Sequence, residues 1–399
     1  MKNILMIGAG ILMVPTVKVA KSMGLHVTVV DQDPNAPAVP YADDLILAST
    51  YDYEKIIKEV NSKGWRSRFH AVFTAGADVE ITVAEVAMDL GLPGLPPIVA
   101  RRCNDKCLMK ECLCDHGITT PMSLTVSEES EIMDALGKIG LPAVIKPFDN
   151  CGSKGVSKID DKKNVYKAFE NAKKFSLDGK IMLESFHEGT THTVEMIAWE
   201  GEYHVASIID TIHGYSPYFV ELYHINPTRR SDDDCKKMVD LACAAAKTIG
   251  IEQGAAKVDI IFAKDGPYVM EMTARLSGGF HCQYTTPLAC GTNNIKAAIQ
   301  ISLGCEPCMN DILPNKNECA VSKAMFPDAG VIKAIDGIEE AKKIDGIEDI
   351  IVVKNVGDKV GPYTNASDRP LYIIAHGVNE DAVWDVIKKA ESTINIHTV

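Results

Sequence analysis

Lys257 to Gly279 reads KVDIIFAKDGPYVMEMTARLSGG. Two apolar runs hinge on a turn, and each carries one carboxylate, Asp259 and Glu271, where a strand is expected to bury its face. Lys264-Asp265-Gly266 reads as a three-residue hairpin loop, with glycine at the position that needs a left-handed backbone. A loop of that length sets Ile261 opposite Val269 and Asp259 opposite Glu271, with the carboxylates about 5 Å apart on one face. A two-residue loop shifts the register by one and turns the two groups to opposite faces. Like charges that close cost energy unless a cation lies between them or one takes a proton. A hard divalent cation with oxygen ligands, Mg²⁺ or Mn²⁺, meets that need. A pair of acids at a solvated sheet edge meets the spacing equally well.

Bulk properties narrow the classes. At 399 residues and 43.4 kDa the chain exceeds one ordinary core, which predicts two or three domains. A net charge of -13 argues against sequence-independent nucleic-acid binding and leaves only a local basic pocket for phosphates. No stretch approaches the roughly 20 apolar residues of a membrane span. MKNILMIGAG has charges close behind and no small-residue cleavage site, so it reads as a first strand rather than a signal peptide. Twelve cysteines lack framework spacing, and Cys305-Glu-Pro-Cys308 has no second pair or histidine to complete a zinc site. Reduced thiols and a cytoplasmic setting follow.

Working outward from the hairpin, the first segment alternates strand and helix. KNILMIG, HVTVVD and HAVFTAG read as strands, with helices over Pro15 to Met23, Tyr53 to Ser62 and Val79 to Leu90. That is the pattern of a doubly wound parallel sheet. GLPGLPP, Gly91 to Pro97, breaks it. One helix is expected from Asn104 to His116, then the strand LPAVIKP, the glycine loop in DNCGSKGV, and the strands KIMLESF, THTVEMIAW and YHVASIID of an antiparallel sheet. A helix from Asp233 to Ile249 leads into the hairpin; EDIIVVKN, PLYIIAHG and a helix from Glu380 to Thr393 close the chain.

Gly8-Ala-Gly10 with Asp31 imitates a dinucleotide fingerprint, but Met13 stands where a third glycine lets the helix pack on the strand. A hydride-transfer enzyme is therefore disfavoured, and Asp31 reads as a residue that turns the chain. A stronger signal is a series in order: Lys106 opening a helix, Lys146 ending a buried strand, the glycine loop Gly152 to Gly155, Glu184 ending a further strand, then the two acids. Lysines and loop amides suit phosphate oxygens, and hard anions suit a metal. Taken singly, these are a strand-end lysine, an ordinary loop and a solvated acid.

With "NDK", "GLPAVIKP", "LESFHEG", "GAAKVDII" and "VMEMTARLSGG" in this order and spacing, the chain resembles the ATP-grasp superfamily along its length, most closely the L-amino-acid ligase or carboxylate-amine ligase branch. The resemblance implies a Rossmann-like domain over 1–97 and an ATP-grasp core over 98–310, with a small nucleotide lid at about 117–190. It also implies a part, 311–399, that completes a larger antiparallel domain. Carried over, Lys106 and Lys146 hold nucleotide phosphates, and Gly152, Ser153, Lys154 and Gly155 form the mobile loop over them. Glu184, Ser185, Phe186 and His187 form the adenine hinge. Asp259 and Glu271 hold Mg²⁺ or Mn²⁺, Arg275 lies at the transferred phosphoryl group, and Ser277, Gly278 and Gly279 receive a substrate carboxylate. Two departures stand out: Thr273 replaces the usual metal-binding asparagine, and Thr191 replaces an acidic ribose contact, leaving Glu188 for the ribose. Glu195 matches an acid on the substrate side.

The implied reaction activates a small carboxylate with ATP and joins it to an amine, with ADP and phosphate released; relatives suggest a homodimer. A purine-pathway or bicarbonate- or formate-activating enzyme is the alternative within the superfamily, and a non-catalytic nucleotide-binding protein the alternative outside catalysis.

Overall fold

The computed structural model describes residues 1–150 and 152–399, so Cys151 of the glycine loop lies outside the described residues. Four parallel strands open the chain, in the spatial order Asp44–Leu47, His26–Asp31, Asn3–Ile7, Ala71–Phe73. Alternate residues of the first strand face opposite ways. Ile4 and Met6 pack with Met13, Val17 and Ala20 of the helix Met13–Ser22, whereas Leu5 and Ile7 pack with Ile56, Val60 and Val86 of the helices Tyr53–Ser62 and Glu80–Leu90. Both faces are thereby covered, as a parallel sheet requires. The edge strand Asp44–Leu47 was not expected from sequence. Asp31 does turn the chain: its carboxylate accepts from Ala9 N at 2.9 Å and from Asp33 N at 3.0 Å.

The helix expected over Asn104 to His116 runs over Lys106–Asp115, and a further helix that was not expected, Pro97–Asn104, precedes it. Asp105 separates them by leaving helical dihedrals and capping the second, its Oδ1 accepting from Cys107 N at 2.8 Å and Leu108 N at 3.1 Å. A four-stranded antiparallel lid follows, ordered Ser123–Val126, Ile181–Ser185, Ala143–Pro147, Ser157–Ile159. Ile132 and Leu136 of the helix Ile132–Ile139 and Phe169 of the helix Val165–Lys173 fill its core.

The largest sheet has eight antiparallel strands, ordered Gly266–Thr273, Gly254–Ala263, Gly189–Trp199, Glu202–Gly214, Val220–Asn226, Cys319–Met325, Leu371–Gly377, Ile347–Val352. Val194, Met196, Val258, Ile260 and Met272 on one face bury the helix Asp232–Ile249. Thr193, Thr211, His224, Asp259 and Glu271 point from the other face into a cavity. Alternation along each strand thus separates an oily side from a chemical one. The chain is a mixed α/β architecture: parallel sheet, small antiparallel sheet and large antiparallel sheet, as the resemblance implied. Among the described residues no helix is long and apolar enough to cross a membrane.

Candidate active site

Asp259 does stand opposite Glu271, but by another route than the expected one. The loop holds two residues, Lys264 and Asp265, because Ala263 pairs with Gly266. Ile261 accordingly faces Tyr268 rather than Val269. The ladder shifts between Asp259 and Ile260, so Met270 is an extra residue on its strand, a β-bulge. The bulge undoes the one-residue slip of the short loop: Val269 and Met272 stay in the oily core while Met270 and Glu271 face the cavity.

Around that pair lies a cavity of about 340 Å³, walled by the N-terminal domain, the lid, the large sheet and the C-terminal residues Ala366 and Arg369. Lys106, Lys146, Gly152, Ser153, Glu184, Ser185, Phe186, His187, Asp259, Glu271, Arg275, Gly278 and Gly279 all line it, although they come from segments far apart in sequence. Lys106 Nζ donates to Asn150 O at 2.8 Å and lies 3.4 Å from Glu271 Oε2. Burial works against the Glu271 anion, yet Lys106, Lys257 and Lys146 outweigh it and hold its pKa below the usual value. Asp259 accepts from Lys257 Nζ at 2.6 Å and from Thr193 Oγ1 at 2.7 Å.

Lys146 Nζ is 2.5 Å from Glu184 Oε2, and a further cation that sequence reasoning missed, Lys110, is 3.0 Å from Oε1. Facing two ammonium groups, the buried Glu184 carboxyl drops to about 2 despite its desolvation. Burial, seconded by Lys146, instead pushes Lys110 down to about 8. Lys110 had a local signal: it is one helical turn past Lys106, so both project from one face. Where the strand Ile181–Ser185 ends, Ser185 N–H donates to Met122 O at 2.9 Å and Phe186 N–H to Pro142 O at 3.2 Å, while the His187 ring lies 4.0 Å from that of Tyr268 in the hairpin. Gly152 O accepts from Ala366 N at 2.9 Å, which joins the lid loop to the C-terminal part.

Arg275 meets two carboxylates of the N-terminal domain, Asp78, which takes its Nε at 3.1 Å, and Glu80, 3.4 Å away. At the far end, Glu221 lies 2.7 Å from Arg369 Nη1 and 3.5 Å from His224 Nε2. Burial opposes its ionisation, but Arg369 and His224 hold it well below the carboxylate range. Asp78, Glu80, Glu221 and Arg369 had no sequence signal, since each acts through a partner remote in the chain.

Other expected residues lie off the cavity wall. Gly155 faces the lid's own helix, where an added Cβ would sit 3.1 Å from Ala172 Cα, and Lys154 and the exposed Glu188 do not reach the wall, whereas Thr191 does. Glu195 lies beneath the floor, bonded by the Thr286 hydroxyl and pushed up to about 7 by burial. Thr273 and Ser277 are buried with hydroxyls that have no hydrogen-bond partner. Among the described residues no group of three or more His, Cys, Asp and Glu side chains is arranged to hold a metal by itself. Mg²⁺ in nucleotide sites takes one or two carboxylates and completes its octahedron with water and phosphate oxygens. The facing pair Asp259 and Glu271, on the face of the unpartnered Thr273 hydroxyl, fits that donor set.

A profile described as the ATP-grasp domain matches residues 103–279, and one described as L-amino acid ligase C-terminal domain 2 matches residues 324–399. The fold is similar to that of the L-amino acid ligase from Bacillus licheniformis, with TM-score 0.85, 24% identity, and 100% of this chain and 99% of that chain covered. An uncharacterised protein of Sinorhizobium fredii, y4rH, is 24% identical over 95% of this chain and 79% of its own length. Human carnosine synthase 1 is 23% identical over 77% of this chain, which spans 40% of that longer protein. Residues 103–279 thus match an ATP-grasp domain, and the whole chain shares the fold of ATP-grasp enzymes. The C-terminal match and the full-length structural likeness both point to similarity with L-amino acid ligases.

Proposed function

We propose that the chain is an ATP-dependent carboxylate-amine ligase that joins small amino-acid-like substrates through an acyl phosphate and releases ADP and phosphate. The observation that carries this reading is the meeting of Lys106, Lys146, Glu271, Asp259 and Arg275 in one cavity.

Lys106 and Lys146 offer point charges to phosphate oxygens, and the loop from Gly152 closes over them. Asp259 and Glu271 would hold Mg²⁺, whose charge offsets that of the phosphates. A substrate carboxylate oxygen attacks the γ-phosphorus and ADP leaves; the amine nitrogen then attacks the acyl carbon, phosphate leaves, and the amine proton passes to phosphate or solvent. Arg275, held between the N-terminal domain and the Leu276 carbonyl, is oriented in advance toward the charge on the migrating group. Closure against Ala366 keeps water from the acyl phosphate.

A phosphate-release screen over paired amino acids, with mass measurement of products, tests the proposal. ADP and phosphate release that needs both a carboxylate and an amine supports it. Release with bicarbonate and no amine, or nucleotide binding without turnover across the panel, overturns it.

A further inference from the structure

We propose that Lys110 is a positioning residue of the nucleotide site: by sharing Glu184 with Lys146, it keeps the Lys146 charge available to phosphate oxygens. The inference rests on the nucleotide-binding part of the reading above and on no particular substrate.

Lys110 is 2% exposed and does not line the cavity, so it makes no contact with a ligand there. Its ammonium has three donors and three oxygens around it: Thr120 Oγ1 at 2.6 Å, Glu184 Oε1 at 3.0 Å and Val269 O at 3.3 Å. Glu184 is 5% exposed and divides its two oxygens between the two lysines. Of the three charged groups, Lys146 and Glu184 reach the cavity wall.

The charge count gives the reason for the arrangement. Lys146 with Glu184 alone is a neutral pair, and a polyanion gains little from approaching it. With Lys110 the trio carries one net positive charge, and because Lys110 is locked behind Glu184, that charge is expressed at Lys146. In a site screened from water, one charge decides whether phosphate is attracted. A buried lysine also carries a desolvation penalty, which a purely mechanical tie between helix, hinge and hairpin does not need.

Binding of ADP and of adenosine, each by calorimetry, to the full chain and to K110M, E184Q and K110M/E184Q tests this. K110M is expected to weaken ADP roughly tenfold to a hundredfold, the range for loss of a charge-assisted contact, and to leave adenosine binding unchanged. In K110M/E184Q the net charge returns to plus one, and ADP affinity is expected to recover most of the loss. If K110M binds ADP like the parent chain, or the double variant is no better than K110M, the proposal is wrong and the nucleotide site stands. A parent chain that binds no ADP overturns the nucleotide reading itself. Should K110M fail to fold, the parent chain gives a second measurement. The charged or titratable groups that interact with Lys110 are Glu184, Lys146, Cys114 and His187, the last held below its ordinary pKa mainly by burial. As Lys110 loses its proton near pH 8, ADP affinity should fall, and a flat profile from pH 7 to 9 overturns the proposal.

Discussion

Glu80 offers a sharp test of how the N-terminal domain is joined to the site. It opens the helix Glu80–Leu90, is 4% exposed, and neither of its carboxylate oxygens accepts a hydrogen bond. Burial pushes its pKa from 4.5 up to about 7, against the pull of Arg275 and with the push of Asp78 and Glu271. That gap is worth about 3 kcal/mol in total. The sign follows from proton counting: between pH 4.5 and about 7 the folded state keeps a proton that the unfolded chain has lost. The contribution is therefore fully present below pH 4.5, falls as pH rises through that window, and is gone above about 7. Glu80→Gln imitates the protonated acid at every pH. It should match the parent chain at pH 5 to within about 1 kcal/mol and exceed it by roughly 2–3 kcal/mol at pH 8. Urea unfolding followed by the fluorescence of Trp65, which lies in the same domain, reads the difference. Parallel stability curves for the two proteins from pH 5 to 8 would refute the reasoning, because Glu80 would then titrate as it does in the unfolded chain.

Glu271→Ala should lower Mg²⁺-dependent turnover at least about a hundredfold with an unchanged circular dichroism spectrum; retained turnover at ordinary Mg²⁺ removes Glu271 from the site. Lys146→Ala should raise the nucleotide Kd roughly tenfold or more, and an unchanged Kd counts against its role. Gly279 has φ +64, and a Cβ there would lie 2.9 Å from His281 Nε2. Gly279→Ala should therefore cost about 1–2 kcal/mol in thermal unfolding and depress turnover, and unaltered behaviour in both assays would show that the loop is not so constrained. Phe169→Ala empties the lid core, where Phe169 is fully buried, at about 3–5 kcal/mol; limited proteolysis should cut 117–190 first, and cleavage elsewhere would deny the lid its separate core.

Local patterns were legible where periodicity and burial agree. The helices Tyr53–Ser62 and Glu380–Thr393 have the bounds that amphipathic spacing predicts, and the strands around NILMI and HVTVVD sit where apolar runs place them. Asp44–Leu47 escaped notice because a four-residue edge strand has too little pattern, and the helix Pro97–Asn104 because its first turn lies in a proline-rich run that reads as linker. The site was legible for its motif-bearing members and silent for their partners. Nothing near Arg275 in sequence announces Asp78, which lies 197 residues away. The facing acids show how a correct pairing can rest on a wrong loop: Met270 supplies the register shift that loop length alone was credited with. A bulge has no compositional signature when the extra residue is as apolar as its neighbours.

The N-terminal domain now has a physical role that its incomplete dinucleotide motif obscured. Open α/β sheets take ligands in the crevice beyond the carboxyl ends of their strands, where the strand order reverses. Here the first strand pairs with Ala71–Phe73 on one side and His26–Asp31 on the other, so the reversal lies beside the segment that follows Phe73. That segment supplies Gly76 and Asp78 to the cavity wall, then Glu80 behind Arg275. Gly76 is left-handed, at φ +73, and an added Cβ would press to 3.1 Å from Leu12 Cδ1, so the backbone itself forms the close approach. Meanwhile Met13, 2% exposed, occupies the place where a glycine would let a helix settle for a dinucleotide. The crevice of the parallel sheet is thus kept and turned to a new neighbour: its acids orient an arginine of the large sheet's loop. Chemistry in this cavity should be lost when the first domain is removed, even though both lysines and both facing acids belong to the rest of the chain.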